Sequence, residues 1–252
     1  MDIKKSNNPT VQILGISFIK GKVSDAFNLL KHNGGLMTVP AAPALVTIKE
    51  DKAYYESLLK SDLIIPDSGY MILIWNIISK KKLHKISGLE FIEYFTKQSN
   101  LINQHRLMLI NPSDEDGSIN KNYLEINGFN NNTIYNYTAP FYNNNVTDDN
   151  LLKMCEEVQP KWIMVNIGGG TQEKLGLYLK ENLSFSPAIM CTGAAISFKT
   201  GRQVKMPLWI DYLYLGWLAR CISKPKVFIP RYLKGFKLLC LILKYKSKPY
   251  ES

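Results

Sequence analysis

Residues 162–182 constrain the fold more than any other stretch of the chain. WIMVNI is an apolar run of strand length, Gly168-Gly169-Gly170 interrupts it, and TQEKLGLYLKEN then carries mostly helix-forming residues for about three turns. A strand apolar at nearly every position is buried on both faces, and sheets covered on both faces are built from parallel strands joined through helices. The same alternation runs through residues 11–200. Strands are predicted at 11–18, 36–39, 63–65, 107–110, 162–167 and 188–192, and helices at 24–31, 44–60, 70–79, 87–98, 148–158 and 171–182. Residues 111–117 read as a loop, and 128–145, rich in Asn and Tyr, shows no clear period. The expected class is α/β, a Rossmann-like, mainly parallel sheet flanked by helices.

With 252 residues, 46% of them hydrophobic, the chain can bury a sizeable core. Its net charge of +10 is unevenly placed: residues 202–252 hold 11 Lys and Arg against Asp211 and Glu251, which leaves residues 1–201 nearly neutral. The expected division is a core, 1–201, and a basic C-terminal appendage, 202–252, whose partner is polyanionic. Cys155, Cys191, Cys221 and Cys240 are far apart and form no C-x-x-C pair, which argues against a disulfide framework or a zinc site and for a reducing cytoplasm. No apolar region follows the lysines of MDIKKSNNPT, so a secretory signal is not expected, and the most apolar run, 70–78, is too short to span a bilayer. Within 232–246, Lys234, Lys237 and Lys244 fall near one helical stripe while Leu233, Phe236, Leu239, Cys240 and Leu243 cover the rest. A wide apolar face with a narrow lysine stripe suits a helix lying in a membrane interface. A terminal helix docked on the domain's own core is the alternative.

Open α/β sheets hold ligands at the carboxyl ends of their strands, so the loops there are the places to look for chemistry. Gly168-Gly169-Gly170 before a helix offers free N–H groups at a positive helix end, an arrangement that suits a phosphate, although a plain structural turn explains it as well. Gln172 and Glu173 in the first turn of that helix are placed to reach a bound nucleotide or sugar; Glu173 could equally complement the helix dipole. Asp67, in Pro66-Asp67-Ser68-Gly69 between a short strand and a helix, is the carboxylate best placed as a general base, against the commoner role of a turn aspartate. Asp114-Glu115-Asp116 resembles a D-x-D metal motif only superficially and reads as a solvated loop; His32, His84 and His105 show no ligand spacing, and no metal is expected.

Taken in order, these residues resemble the WecG/TagA/CpsF glycosyltransferase family over nearly the whole chain. Thr38 begins the first family loop, and DLIIPDSG at 62–69 is similar to its "adl-x-x-PDG-x-G" block. KISGLE at 85–90 matches "R-V-x-G-x-D", VNIGGGTQE at 165–173 matches "V-x-x-G-x-P-x-Q-E", and 193–207 is similar to "G-x-x-x-x-F-x-x-G-x-x-x-R-A-P". Gly216-Trp217-Leu218 with Arg220, Pro225, Arg231 and Tyr232 resembles the closing signature. Six weak blocks in the right order make a strong signal.

The resemblance implies an inverting, metal-independent transfer from a UDP-sugar to a polyprenyl-diphosphate-linked acceptor in bacterial cell-surface polymer synthesis, on the cytoplasmic face of the membrane. Asp67 would be the base. Thr38, Lys85, Gly168, Gly169, Gly170, Gln172, Glu173 and Gly193 would line the substrate site, and Arg220 and Arg231 would hold phosphates through forked, charge-assisted bonds. No cofactor is expected beyond the UDP-sugar donor; the partners are that donor, the lipid-linked acceptor and an anionic membrane surface, with no nucleic acid, and a homo-oligomer is left open. The chain departs from the pattern at Pro40 (usually Asn), Lys85 (Arg), Ser68 (Gly), Gly170-Thr171 (Pro-Lys) and Asn111-Pro112-Ser113 (a Gly-rich loop), which implies a divergent branch with its own sugar. The alternative function is a catalytically inactive module of the same fold that binds the membrane surface. Nucleic-acid binding through Trp209, Tyr212, Tyr214 and Trp217 is a third and weaker reading.

Overall fold

The structure is a computed structural model that describes residues 9–143, 145–202, 216–223 and 225–250. It opens on an antiparallel hairpin, β1 (Thr10–Ile13) and β2 (Ile16–Ile19), followed by α1 (Val23–Asn33). The central sheet comprises β3 (Gly35–Thr38), β4 (Leu63–Ile64), β5 (Leu107–Asn111), β6 (Ile134–Thr138), β7 (Trp162–Val165) and β8 (Ala188–Cys191). All its pairings are parallel, in the order β4-β3-β8-β7-β5-β6. The chain leaves β3 toward one edge and β5 toward the other, so the loops after the central strands part above the carboxyl edge, the place where such sheets bind ligands.

The inner strands β3, β5, β7 and β8 are buried at every position, as their unbroken apolar runs demand. One face packs Met37, Leu109, Met164 and Met190 against α1, α5 (Gly88–Thr96), α6 (Ser99–Ile102) and α7 (Asp114–Ile126), with Trp162 stacked on Phe27 at 5.5 Å. The other packs Leu36, Ile110, Val165 and Cys191 against α8 (Asp149–Val158) and α9 (Thr171–Asn182). A third apolar group lies to the side. Here the hairpin meets α2 (Ala42–Leu45), α3 (Lys52–Leu59), α4 (Gly69–Ile78) and the last helix.

Four expectations need correction, each for a local reason. Residues 11–18 form a hairpin rather than one strand, because Leu14 (φ 55°) and Gly15 (φ 78°) both take the left-handed conformation of a tight hairpin turn. The helix at 44–60 is broken at Asp51, whose side chain accepts from Tyr54 N at 2.9 Å and starts α3 afresh. Residues 111–117 are not a loop throughout: Ser113 caps α7, accepting from Asp116 N at 3.1 Å, and Asp114, Glu115 and Asp116 lie in its first turn, where their charge favours a helix. The Asn- and Tyr-rich segment contains β6, an edge strand in which only Ile134 is buried, Tyr135 and Tyr137 are half-buried and Asn136 and Thr138 are exposed.

At the C-terminal end lie α10 (Ala195–Thr200), α11 (Gly216–Ser223), α12 (Pro225–Gly235) and α13 (Lys237–Tyr245). The last is docked on the core, with Leu238, Leu241 and Ile242 buried beside Met71, Ile72 and Trp75. Leu14 N donates to Lys246 O at 2.7 Å and Gly15 N to Ser247 O at 3.3 Å. A Cβ at Gly15 would come within 2.7 Å of Pro249 Cα, so this glycine admits the tail to the hairpin turn. The opposite side of α13 is open: Phe236, Leu239, Cys240 and Leu243 are exposed. The docked arrangement thus holds for one face of this helix, and the other face is exposed. Among the described residues no helix is long and apolar enough to cross a membrane.

Candidate functional site

Asp67 follows β4 by a sharp turn, Asp67 N donating to Ile65 O at 3.0 Å. Ser68 next to it caps α4, accepting from Met71 N at 3.2 Å, which fixes the loop from its far side. The approach to α5 is laid along this loop: Ile86 N donates to Pro66 O at 3.1 Å, and Gly88 N donates to Asp67 Oδ1 at 3.0 Å. Lys85, partly exposed, directly precedes this stretch, and Asp67 is half-buried. Gly88 in turn lies against the loops after β3 and β8, where an added Cβ would stand 3.4 Å from Val39 Cγ1 and 3.7 Å from Thr192 O. Gly193 (φ 58°) carries the chain on, and a Cβ there would stand 3.3 Å from Gln172 Nε2. Asp67, Lys85, Gly88, Gly193 and Gln172, distant in sequence, are thus linked by a series of close approaches at the carboxyl edge.

The glycine turn behaves differently from an open phosphate cradle. A Cβ on Gly168, Gly169 or Gly170 would meet nothing within 4 Å, so the turn borders open space, and only Gly170 (φ 92°) needs to be glycine for its backbone. Yet the Gly170 N–H donates to Glu173 Oε2 at 2.6 Å, and Gln172 Nε2 donates to Glu173 Oε1 at 3.0 Å. Burial pushes the Glu173 carboxyl above the usual range, and these hydrogen bonds work against that shift. Glu173 is therefore the cap of its own helix. An anion placed at Gly170 would have to compete with it for the same N–H.

Thr38, fully buried, donates its hydroxyl to Ser61 Oγ at 3.1 Å, and Ser61 donates to Ser57 O at 2.7 Å. Its side chain is engaged in that ladder. Arg220 and Arg231 fall on α11 and α12, but their side chains lie outside the described residues. The backbone of α12 packs on α2, just beyond the carboxyl end of β3, which brings this basic helix to the side of the site. Asp114 accepts from Thr138 Oγ1, Asp116 accepts from Ser113 Oγ at 2.7 Å, and Arg202 binds Glu115 and Asp116 together at 2.9–3.0 Å. This acidic run ties α10 to α7, and among the described residues no three His, Cys, Asp or Glu side chains are grouped to hold a metal.

Sequence reasoning missed a buried amide ladder beside the site. Asn111, at the end of β5, accepts at Oδ1 from Asn120 Nδ2 at 2.8 Å and from Asn166 Nδ2 at 3.0 Å. The signal was present: Asn111 and Asn166 each stand where an apolar strand run ends, at equivalent places in the sheet.

A parallel sheet with helices on both faces, and a half-buried aspartate and buried amides at its carboxyl edge, defines an α/β protein whose carboxyl edge is the candidate ligand site. Within that class the chain belongs to the glycosyl transferase WecG/TagA/CpsF family, whose model matches residues 11–252, from the hairpin to the C-terminal helices. A sugar donor and an acceptor are the substrates that such a family implies. Comparison with curated proteins found no match.

Proposed function

We propose that this chain transfers a sugar from a UDP-sugar to the hydroxyl of a polyprenyl-diphosphate-linked acceptor, with inversion and without a metal. Asp67 is the base. It takes the proton of the acceptor hydroxyl as that oxygen bonds to the anomeric carbon, while the bond from that carbon to the donor's β-phosphate oxygen breaks and UDP leaves with the electron pair. The observation that carries this reading is the placing of Asp67: half-buried at the carboxyl end of β4, tied to Gly88 N at 3.0 Å, with Lys85 three residues before that glycine. A carboxylate fixed by a backbone N–H at the carboxyl end of a strand stands where a general base can meet an acceptor hydroxyl. The negative charge on the departing diphosphate falls to Lys85 and to Arg220 and Arg231, because Glu173 already occupies the N–H of Gly170.

The acceptor is lipid-linked, so the enzyme has to work at a membrane surface, and an exposed apolar strip supports attachment there. Leu73 and Ile77 of α4 are 51% and 82% exposed, and Tyr70 of the same stripe meets Phe236 edge to face at 5.4 Å. The strip continues through Leu239 and Leu243, with exposed Lys237 and Lys244 beside it on α13 and Lys80, Lys81 and Lys82 just after α4. Apolar side chains flanked by lysines match the boundary of an anionic leaflet.

Asp67→Asn tests the central step. The variant should bind UDP-sugar like the wild type and lose about 10²–10⁴-fold in transfer, measured by product mass with a short polyprenyl-diphosphate-sugar acceptor. Near-normal turnover would remove Asp67 as the base.

A further inference from the structure

Three polar atoms at the carboxyl edge are closed to water and have no hydrogen-bond partner: Asn166 Oδ1, Gln172 Oε1 and Thr192 Oγ1. Their residues are 6%, 3% and 7% exposed. Asn166 follows β7 and Thr192 follows β8, and the pairing of Val165 with Cys191 sets them side by side on the same face of the sheet. Gln172 reaches the same edge from α9, its amide lying against Gly193, the residue after Thr192.

Neighbouring groups fix which end of each amide is left over. Asn111 Nδ2 faces Asn136 Oδ1 at 3.4 Å, while Asn111 Oδ1 accepts from the NH₂ groups of Asn120 at 2.8 Å and Asn166 at 3.0 Å. The Asn166 carbonyl is what remains. Glu173 does the same to Gln172 by accepting its NH₂ at 3.0 Å, which leaves the Gln172 carbonyl. The edge therefore presents two carbonyl oxygens and one hydroxyl. Carbonyl oxygens repel phosphate oxygens and require a partner that brings its own O–H or N–H.

We infer that Asn166 and Thr192, together with Gln172, form a subsite for an uncharged, hydrogen-bond-donating part of the sugar nucleotide, a sugar hydroxyl or a nucleobase N–H, and not for its phosphates. This rests on the donor reading proposed above. Unpartnered buried acceptors burden the free chain, and a ligand O–H or N–H relieves them on binding. A site built in this way rejects analogues that lack the matching donor far more strongly than an apolar pocket does.

The full-length protein carrying Asn166→Leu or Thr192→Val tests the subsite. Calorimetry would give affinities for UDP, UDP-glucose and UDP-N-acetylglucosamine, alongside the melting temperature without ligand. Asn166→Leu should keep or raise the melting temperature, since Asn111 Oδ1 remains held by Asn120, while binding weakens about tenfold to a hundredfold. A loss shared by UDP and the UDP-sugars assigns the subsite to the base or ribose; a loss confined to the UDP-sugars assigns it to the transferred sugar. A lowered melting temperature would mark Asn166 as structural, and the near-isosteric Thr192→Val then decides, since unchanged binding by it would overturn the subsite. Unchanged affinities in both variants would overturn the subsite alone. A wild-type chain that binds none of the three ligands would overturn the donor reading together with it.

Discussion

Helix α9 carries Gln172 and Glu173, and its seat on the sheet is set by one residue. Gly176 is buried, and a Cβ there would meet Leu36 Cδ1 at 2.6 Å and Cys191 Sγ at 2.7 Å, both short of the 3.4 Å at which ordinary contact begins. Leu36 and Cys191 are themselves fully buried on β3 and β8, so neither can swing into solvent. Gly176→Ala sets two effects against each other. Replacing a helix-interior glycine by alanine favours the helix by about 1 kcal/mol. Forcing a methyl into a packed interior costs about 1–3 kcal/mol. The expected balance is a loss of about 1 kcal/mol, read as a fall in melting temperature of roughly 2–4 °C for a chain of this size. A second substitution identifies the cause: in Gly176→Ala/Cys191→Ala the sulfur that blocks the new methyl is gone, and the double variant should be more stable than the sum of the single effects by about 0.5–1 kcal/mol. Urea unfolding of the four proteins of this cycle provides the numbers. If Gly176→Ala instead raises stability by the full helix-propensity increment, α9 is not seated against β3 and β8 as described.

Three more outcomes follow from the packing. Burial works upward on the Glu93 carboxyl, but hydrogen bonds from Lys199 and Lys97 outweigh it and hold it below the usual range. A carboxyl lowered by folding adds stability that is full above its unfolded value, about 4.3, and is lost as pH falls through its folded value; the stability difference between the wild type and Glu93→Gln should therefore be constant above about pH 5 and shrink below about pH 4. A difference that does not vary with pH would refute this. On α13, Leu238→Ala should cost about 2–5 kcal/mol in chemical denaturation, since Leu238 is fully buried. Leu243→Glu, on the exposed face, should leave stability within about 0.5 kcal/mol yet weaken binding to vesicles of anionic phospholipid; equal vesicle binding would show that this face does not meet lipid.

The inner strands and the helices that cover them were legible because parallel strands buried on both faces leave continuous apolar runs, and β7 with α9 is the plainest case. What escaped was polar or depended on unusual backbone. Nothing in the sequence marks Leu14 for a left-handed turn, and β6, at the sheet edge, needs only half of its residues apolar. At the candidate site, the placing of Asp67 and Gln172 at the carboxyl edge was legible from their loops, whereas the Asn111–Asn120–Asn166 ladder was not, because an asparagine that ends a strand looks like any turn residue until the register aligns it with another. The tail carried two signals at once. Its apolar residues fit a helix facing lipid and a helix docked on the core alike; Leu238, Leu241 and Ile242 face the core while Leu239 and Leu243 are exposed, and only packing separates them.

The uneven charge of the chain acquires a physical reason once the edge is described in atoms. Glu173 fills the N–H of Gly170, and Asn166 and Gln172 hold buried carbonyls without a partner; on the proposed reading, such an edge takes the neutral parts of a sugar nucleotide and not its phosphates. On the proposed reading, cations from elsewhere must meet the diphosphate, and the residues before 202 are nearly neutral as a whole. The basic C-terminal fifth supplies the balance, provided that it is held in place. It is anchored at both ends: Arg202 forks onto Glu115 and Asp116 of α7, and α13 buries Leu238, Leu241 and Ile242 while Lys246 and Ser247 accept from the hairpin turn. Helices α11 and α12, which carry Arg220 and Arg231, lie between these two anchors, and α12 packs on α2 beside the site. A segment fixed at both ends loses less freedom on gripping a phosphate than a free tail would, so anchoring strengthens its hold on charge. On the proposed reading, the same docking that makes α13 part of the core also serves the chemistry, because it holds the helices that carry Arg220 and Arg231 beside the site.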